Sequence, residues 1–285
     1  MHTVNRLSDL REAVERLRRT GEIALVPTMG ALHEGHLTLV REARARAPHV
    51  IVSIFVNPTQ FGANEDLDAY PRRMAEDSRL LEAEGVAVLW APTVEEVYPT
   101  GFATSISVSG VSDGLCGAAR PGHFDGVATV VCKLFHHVLP DLALFGEKDW
   151  QQLAVIRRMA RDLDLTRPPA ERIHGVPTVR EADGLAMSSR NQYLSTAERA
   201  AAASLPRAMK AAIARIEAGE DVVTALAALE ADLLGAGFSS VDYATLADAD
   251  SLAPLAATPK ALARLLVAAR IGTTRLIDNM AVAPS

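Results

Sequence analysis

Four apolar runs, Ile23–Val26, Val50–Val56, Val86–Trp90 and Leu142–Phe145, are separated by stretches whose apolar residues recur with helical period. Runs that are apolar on both faces suit strands buried on both sides. Their alternation with helices expected near Leu7–Arg19, His36–Arg46, Met74–Glu84, Gly126–Val138 and Gln151–Leu163 predicts an α/β domain with a doubly wound parallel sheet. Ligands of such sheets bind beyond the carboxyl ends of the strands. That rule singles out the segments after the first, second and fourth runs: Pro27–His36, Asn57-Pro58-Thr59-Gln60-Phe61 and Gly146-Glu147-Lys148-Asp149.

From about Val179 the pattern changes. A polar loop from Arg180 to Asn191 leads into two Ala-rich helices, then into strand-like runs at Val241–Leu246, Leu265–Ala269 and Thr274–Ile277. The expectation is a first domain over residues 1–178 and a smaller α+β domain over 179–285. A chain of 285 residues is long enough for two cores. Its net charge of -6 argues against a general nucleic-acid binder and for a small-molecule partner. Cys116 and Cys132 are too few for a disulfide scaffold or a zinc cluster. The first twenty residues read as an Arg/Glu-rich amphipathic helix, and no run reaches the ~18 apolar residues of a membrane span, so a soluble, cytoplasmic chain is expected.

The most specific segment is Val26-Pro27-Thr28-Met29-Gly30-Ala31-Leu32-His33-Glu34-Gly35-His36. Pro27 and Gly30 end a strand, and the period of Leu37, Leu39 and Val40 opens a helix. Positions i and i+3 share a helix face, so His33 and His36 can both point at a phosphate on the helix N-terminus. Backbone N–H groups and the helix dipole favour an anion there. Two surface histidines would be the ordinary reading of this spacing alone. The helical zinc-protease motif needs histidines at i and i+4, which this pair does not satisfy.

The spacing H-x-G-H resembles the signature of the nucleotidyltransferase superfamily that includes the class I aminoacyl-tRNA synthetases. Taken with Phe55-Val56-Asn57-Pro58-Thr59-Gln60-Phe61, Arg120-Pro121-Gly122-His123-Phe124, Gly146-Glu147-Lys148-Asp149 and Met187-Ser188-Ser189-Arg190-Asn191, in that order, the chain resembles the pantothenate synthetase (pantoate–β-alanine ligase) family of that superfamily. The resemblance implies a Rossmann-like fold and a two-step ligation: pantoate attacks the α-phosphorus of Mg·ATP to give pantoyl adenylate, and β-alanine then displaces AMP. It implies ATP contacts from Met29, Gly30, Ala31, Leu32, His33, Glu34, Gly35 and His36, from Gly146, Glu147, Lys148 and Asp149, and from Met187, Ser188, Ser189 and Arg190, with Val179 against adenine. A carboxylate attacking a triphosphate needs cationic donors where charge accumulates. His33, His36, Lys148 and Arg190 are the catalytic candidates, with His36 as proton donor.

By the same resemblance Gln60 binds pantoate and faces β-alanine, and Gln152 binds pantoate. Pro27 and Met29 pack on substrate, while Asn57, Arg120 and His123 edge the substrate site. Glu76 and Asp77 are the Mg2+ candidates, although an acidic pair early on a helix is equally served by the dipole. Homodimers are implied as well. The Met187–Arg190 stretch departs from the synthetases' lysine-bearing K-M-S-K-S loop, with Ser-Ser-Arg in its place. Two other classes stay open: another H-x-G-H adenylyl- or cytidylyltransferase, which would need more cations for an acceptor phosphate, and a non-catalytic nucleotide-binding protein.

Overall fold

The structure, a computed structural model, describes residues 1–62, 65 and 67–284. They form two compact units. The first comprises Met1–Ser109, Arg120–Glu147 and Gln152–Pro177, and the second Gly110–Ala119, Lys148–Gln151 and Thr178–Ser285. Two short segments that precede residue 178 therefore belong with the later part of the chain.

In the first unit the strands are β1 (His2–Val4), β2 (Ile23–Thr28), β3 (His49–Ile54), β4 (Val88–Trp90), β5 (Leu142–Gly146) and β6 (Ile173–Val176). They pair in the order β1-β4-β3-β2-β5-β6, every pairing parallel. From β2 the chain builds outward through β3 and β4, then returns to add β5 on the other side of β2. That reversal is the switch point at which doubly wound sheets bind ligands. The loops after β2, β3 and β5 are the segments singled out by the sequence.

The helices of this first unit are α1 (Leu7–Arg18), α2 (Glu34–Arg44), α3 (Met74–Ala83), the short α4 (Val94–Val97), α6 (His123–Val138) and, from Gln152 onward, α7 (Trp150–Asp162), while the short α5 (Cys116–Ala119) belongs to the second unit. Amphipathic α1 buries Leu10, Ala13 and Val14, and α2 buries Leu37, Leu39, Val40 and Ala43. By contrast α6 is apolar nearly all round and runs through the core.

Three boundaries differ from expectation, and each bears on the site. The strand expected over Val50–Val56 stops at Ile54, which frees Asn57 for a turn. Helix α6 starts at His123 rather than Gly126, and α2 starts at Glu34, which makes His33 its cap. The edge strands β1 and β6 were not expected. One is three residues long, and the other carries His174 and Gly175, which interrupt the apolar run.

The second unit packs α8 (Thr196–Ala202), α9 (Ser204–Glu217) and α10 (Val222–Gly235) against an antiparallel sheet of β7 (Ser240–Asp248), β8 (Ala263–Ile271) and β9 (Thr274–Val282) in the order β7-β8-β9. Leu265, Val267, Ala269 and Ile271 of β8 alternate into one core with Leu205, Met209, Ile216, Leu229 and Leu233 of the helices. Two Ala-rich helices were expected where three stand, because the run breaks at Ala203. The fresh start at Ser204 tolerates Pro206 in the first turn of α9.

Candidate active site

After Thr28 closes β2, Gly30 and Ala31 take left-handed conformations at φ +87° and +50°. Consecutive residues of this kind turn successive backbone N–H groups into an anion-binding concavity. Its occupant is the protein's own Asp77: Oδ2 accepts from Ala31 N–H at 2.9 Å and Oδ1 from Leu32 N–H at 2.8 Å. A Cβ on Gly30 would sit 3.1 Å from Asp77 Oδ2, so glycine serves both the torsion and the approach. Burial lifts the Asp77 carboxyl above its ordinary value, and the two N–H donors oppose that shift.

This use of Asp77 competes with the role of Mg2+ ligand expected of it. The carboxylate is 1% exposed and holds the turn with both oxygens. Glu76 points to solvent, 3.8 Å from Arg73. Among the described residues no group of three or more His, Cys, Asp or Glu side chains could hold a metal ion. The donor set does not fit a resident Mg2+ built on this acidic pair.

The next turn is a reciprocal cap. Gly35 N–H donates to His33 Nδ1 at 3.2 Å, and His33 N–H donates to His36 Nδ1 at 3.3 Å. The rings lie 4.1 Å apart between centroids, tilted by 40°. A ring nitrogen that accepts is unprotonated, so each neutral imidazole carries its N–H on Nε2. The cap thus selects the tautomer of both histidines. The backbone N–H groups of Ala31, Leu32, His33 and Gly35 are engaged within the chain.

Beyond β3, Asn57 is 1% exposed and saturated. Its Nδ2 donates to the Gly126 carbonyl and to Gln60 Oε1, each at 3.1 Å, while Oδ1 accepts from Tyr98 OH at 2.8 Å and Thr59 Oγ1 at 3.0 Å. Asn57, a substrate-binding candidate from sequence, supports Gln60 from a buried position. The Gln60 amide is thereby oriented, with Nε2 3.1 Å from Met29 Sδ. A Cβ on Gly126 would meet the Thr59 carbonyl oxygen at 2.4 Å, so only glycine lets α6 approach this turn.

Arg120 and His123 brace the same turn. Arg120 Nε donates to Glu65 Oε1 at 2.7 Å, and its Nη1 donates to His123 Nε2 at 2.9 Å. His123 then donates from Nδ1 to the Gln60 carbonyl at 2.8 Å. Burial alone would raise the Glu65 carboxyl, but the Arg120 hydrogen bonds and charge carry it below its ordinary value. Arg120 and His123, expected at the edge of the substrate site, hold the backbone of Gln60.

The 3-10 turn Glu147–Asp149 that leaves β5 carries Lys148, whose Nζ is 3.8 Å from Asp149 Oδ1. Gln152, a pantoate candidate, is half-buried. Its neighbour Gln151, which carried no sequence signal, is buried and ties down a loop by donating to the Val111 and Gly114 carbonyls and accepting from Cys116 N–H. In the second unit Val179 and Met187 close a hairpin-like loop through Met187 N–H to the Val179 carbonyl at 3.0 Å. Arg199 bridges Glu181 at 2.7 Å and Asp183 at 2.6 Å across it. Ser188 caps the 3-10 turn Ser189–Tyr193 by accepting from Arg190 N–H at 3.2 Å.

The family model for pantoate-β-alanine ligase matches residues 2–281 of the chain. Pantothenate synthetase of Novosphingobium aromaticivorans is 70% identical over 285 residues and covers 100% of both chains. That of Sphingopyxis alaskensis is 60% identical over 283 residues, 99% of this chain and 100% of the relative. Among solved structures, pantothenate synthetase from Thermus thermophilus superimposes with a TM-score of 0.92 at 48% identity, over 100% of each chain. Pantoate-β-alanine ligase from Francisella tularensis, complexed with β-γ ATP and β-alanine, does so with a TM-score of 0.83 at 32% identity, also over 100% of each chain.

Proposed function

Because the chain belongs to the pantoate–β-alanine ligase family, we propose that it joins pantoate to β-alanine through an acyl-adenylate, with ATP cleaved to AMP and pyrophosphate. A pantoate carboxylate oxygen attacks the α-phosphorus and the bond to the β-phosphate breaks, releasing pyrophosphate. The amine of β-alanine then attacks the acyl carbon, loses a proton and expels AMP as the amide forms. The observation that carries this reading is the full-length family match, realised in a strand–turn–helix corner whose two histidines are held as N–H donors.

The barrier to the first step is charge accumulating on the phosphates, so fixed donors there contribute most. His33 and His36 supply Nε2–H groups, and Lys148 and Arg190 supply full charges. The cap on both Nδ1 atoms supports His36 as a fixed donor to the phosphates more than as the source of a transferred proton. Glu34, Gly146, Glu147, Asp149, Ser188 and Ser189 complete the ATP contacts, and Val179 and Met187 meet the adenosine. Gln60, oriented by Asn57, hydrogen-bonds pantoate and then β-alanine without neutralising the nucleophile. Gln152 adds a pantoate contact, and Pro27 and Met29 give an apolar wall. Mg2+ enters as part of Mg·ATP, held chiefly by phosphate oxygens and water. The same reading takes the enzyme to be a cytoplasmic homodimer, a state that sedimentation would check.

The test is exchange of labelled pyrophosphate into ATP. Pantoate alone is expected to support it, and His36→Ala to lower it by about 10²-fold or more. Exchange that requires β-alanine would overturn the adenylate route.

A further inference from the structure

Two adjacent buried residues of β9 carry contacts that neither the histidine corner nor the Gln60 turn accounts for. Asn279 donates from Nδ2 to the Lys148 carbonyl at 2.9 Å and accepts at Oδ1 from Arg264 Nη1 at 2.6 Å. Arg264 in turn lies over the Trp150 ring, 3.4 Å from its centroid, and Trp150 Nε1 donates to the Ala249 carbonyl at 2.9 Å. The 148–151 segment is therefore seated on the small sheet. Asp278, whose side chain is 0% exposed, takes both arms of Arg180 at 2.7 and 2.9 Å. Arg180 Nη1 also donates to the Gly184 carbonyl at 3.0 Å, which holds the loop that runs on to Met187 and Arg190. Asn279 N–H donates to Asp278 Oδ1 at 2.8 Å and joins the two arms.

A lysine ammonium rides on a flexible four-carbon stem, so its placement depends on how the backbone beneath it is held. Two segments assigned to phosphate, the Lys148 turn and the Val179–Arg190 loop, hang from consecutive residues of one strand. We propose that Asp278 and Asn279 form a positioning pair that keeps these segments in register on β9 and governs transition-state stabilisation rather than substrate affinity. This inference rests on the reading of Lys148 and Arg190 as phosphate ligands.

The test compares Asn279→Asp, Lys148→Ala and the double variant in pantoate-dependent pyrophosphate exchange. Asn279→Asp keeps the shape and the acceptor for Arg264 but removes the donor to Lys148. The expected result is a fall in kcat of about 10-fold or more with KM for ATP and pantoate within about threefold, and no further loss when it is added to Lys148→Ala. Multiplying losses in the double variant would overturn the proposal, because they would mark two independent defects. Wild-type exchange in Asn279→Asp beside a strong loss in Lys148→Ala would overturn the positioning pair alone. Wild-type exchange in Lys148→Ala would overturn the phosphate role and the pair with it. If Asn279→Asp does not fold, Arg180→Lys, which keeps the charge opposite Asp278 and loses the two-armed grip, carries the same comparison against Arg190→Ala.

Discussion

Asp77 shows how one buried carboxylate can shape a strand–turn–helix corner from within the fold. Its oxygens neutralise the concavity made by Gly30–Leu32, and the adjoining His33 and His36 rings are locked by backbone donors. Asp77→Asn would turn an amide N–H toward one of those N–H groups. The expected cost is about 1–3 kcal/mol in stability, with slower pyrophosphate exchange because the histidines shift. The Mg2+ concentration dependence of exchange should not change. Thermal melts and a Mg2+ titration of the variant check this: an unaltered melt with a shifted Mg2+ response would restore Asp77 as a metal ligand.

Helix α6 carries a buried histidine with a different consequence. His137 is 7% exposed, its Nδ1 has no hydrogen-bond partner among the described residues, and the edge-on Trp90 ring stands 6.1 Å away. Burial, with lesser contributions from Lys133, Arg11 and His136, lowers its pKa from 6.5 to about 4. Between those values the unfolded chain binds a proton that the folded chain refuses, so stability falls as pH drops below 6.5 and the loss is complete near pH 4. The shift corresponds to about 3 kcal/mol at most. Denaturant midpoints measured across this range should lose that portion of their acid slope in His137→Phe. An equally steep slope in the variant would place the acid sensitivity elsewhere.

For the molecule as a whole, the division into units does not follow a single cut in the chain. Cys116 Sγ is 3.0 Å from Tyr243 OH and 3.5 Å from Arg275 Nη1, and Trp150 and Lys148 are held by Arg264, Ala249 and Asn279. A fragment ending at residue 178 would strip the 110–119 and 148–151 segments of these partners. In that fragment, with Cys132 replaced by serine, Cys116 should react with a neutral thiol reagent roughly 10²-fold faster than in the equivalent full chain, as expected when a protected group becomes locally open. Equal protection in both would show that these segments fold with the first unit.

The parallel sheet, the strand–turn–helix corner and the strands of the smaller α+β unit were legible because each leaves a short-range mark: apolar runs such as Ile23–Val26 and Leu265–Ala269, and a Pro/Gly stop. The family resemblance was legible for the same reason, since its motifs are contiguous. What the linear chain could not display was which polar groups meet across it. Asp77 lies 46 positions from Ala31, Gly126 lies 69 from Asn57, and Asn279 lies 131 from Lys148. A carboxylate on an early helical turn reads alike whether it faces a metal or buries itself against backbone, because local sequence encodes the helix and not its neighbour. Only tertiary packing, by desolvating Asp77, Asn57 and Asp278 and forcing each to find protein partners, decided which groups each of them holds.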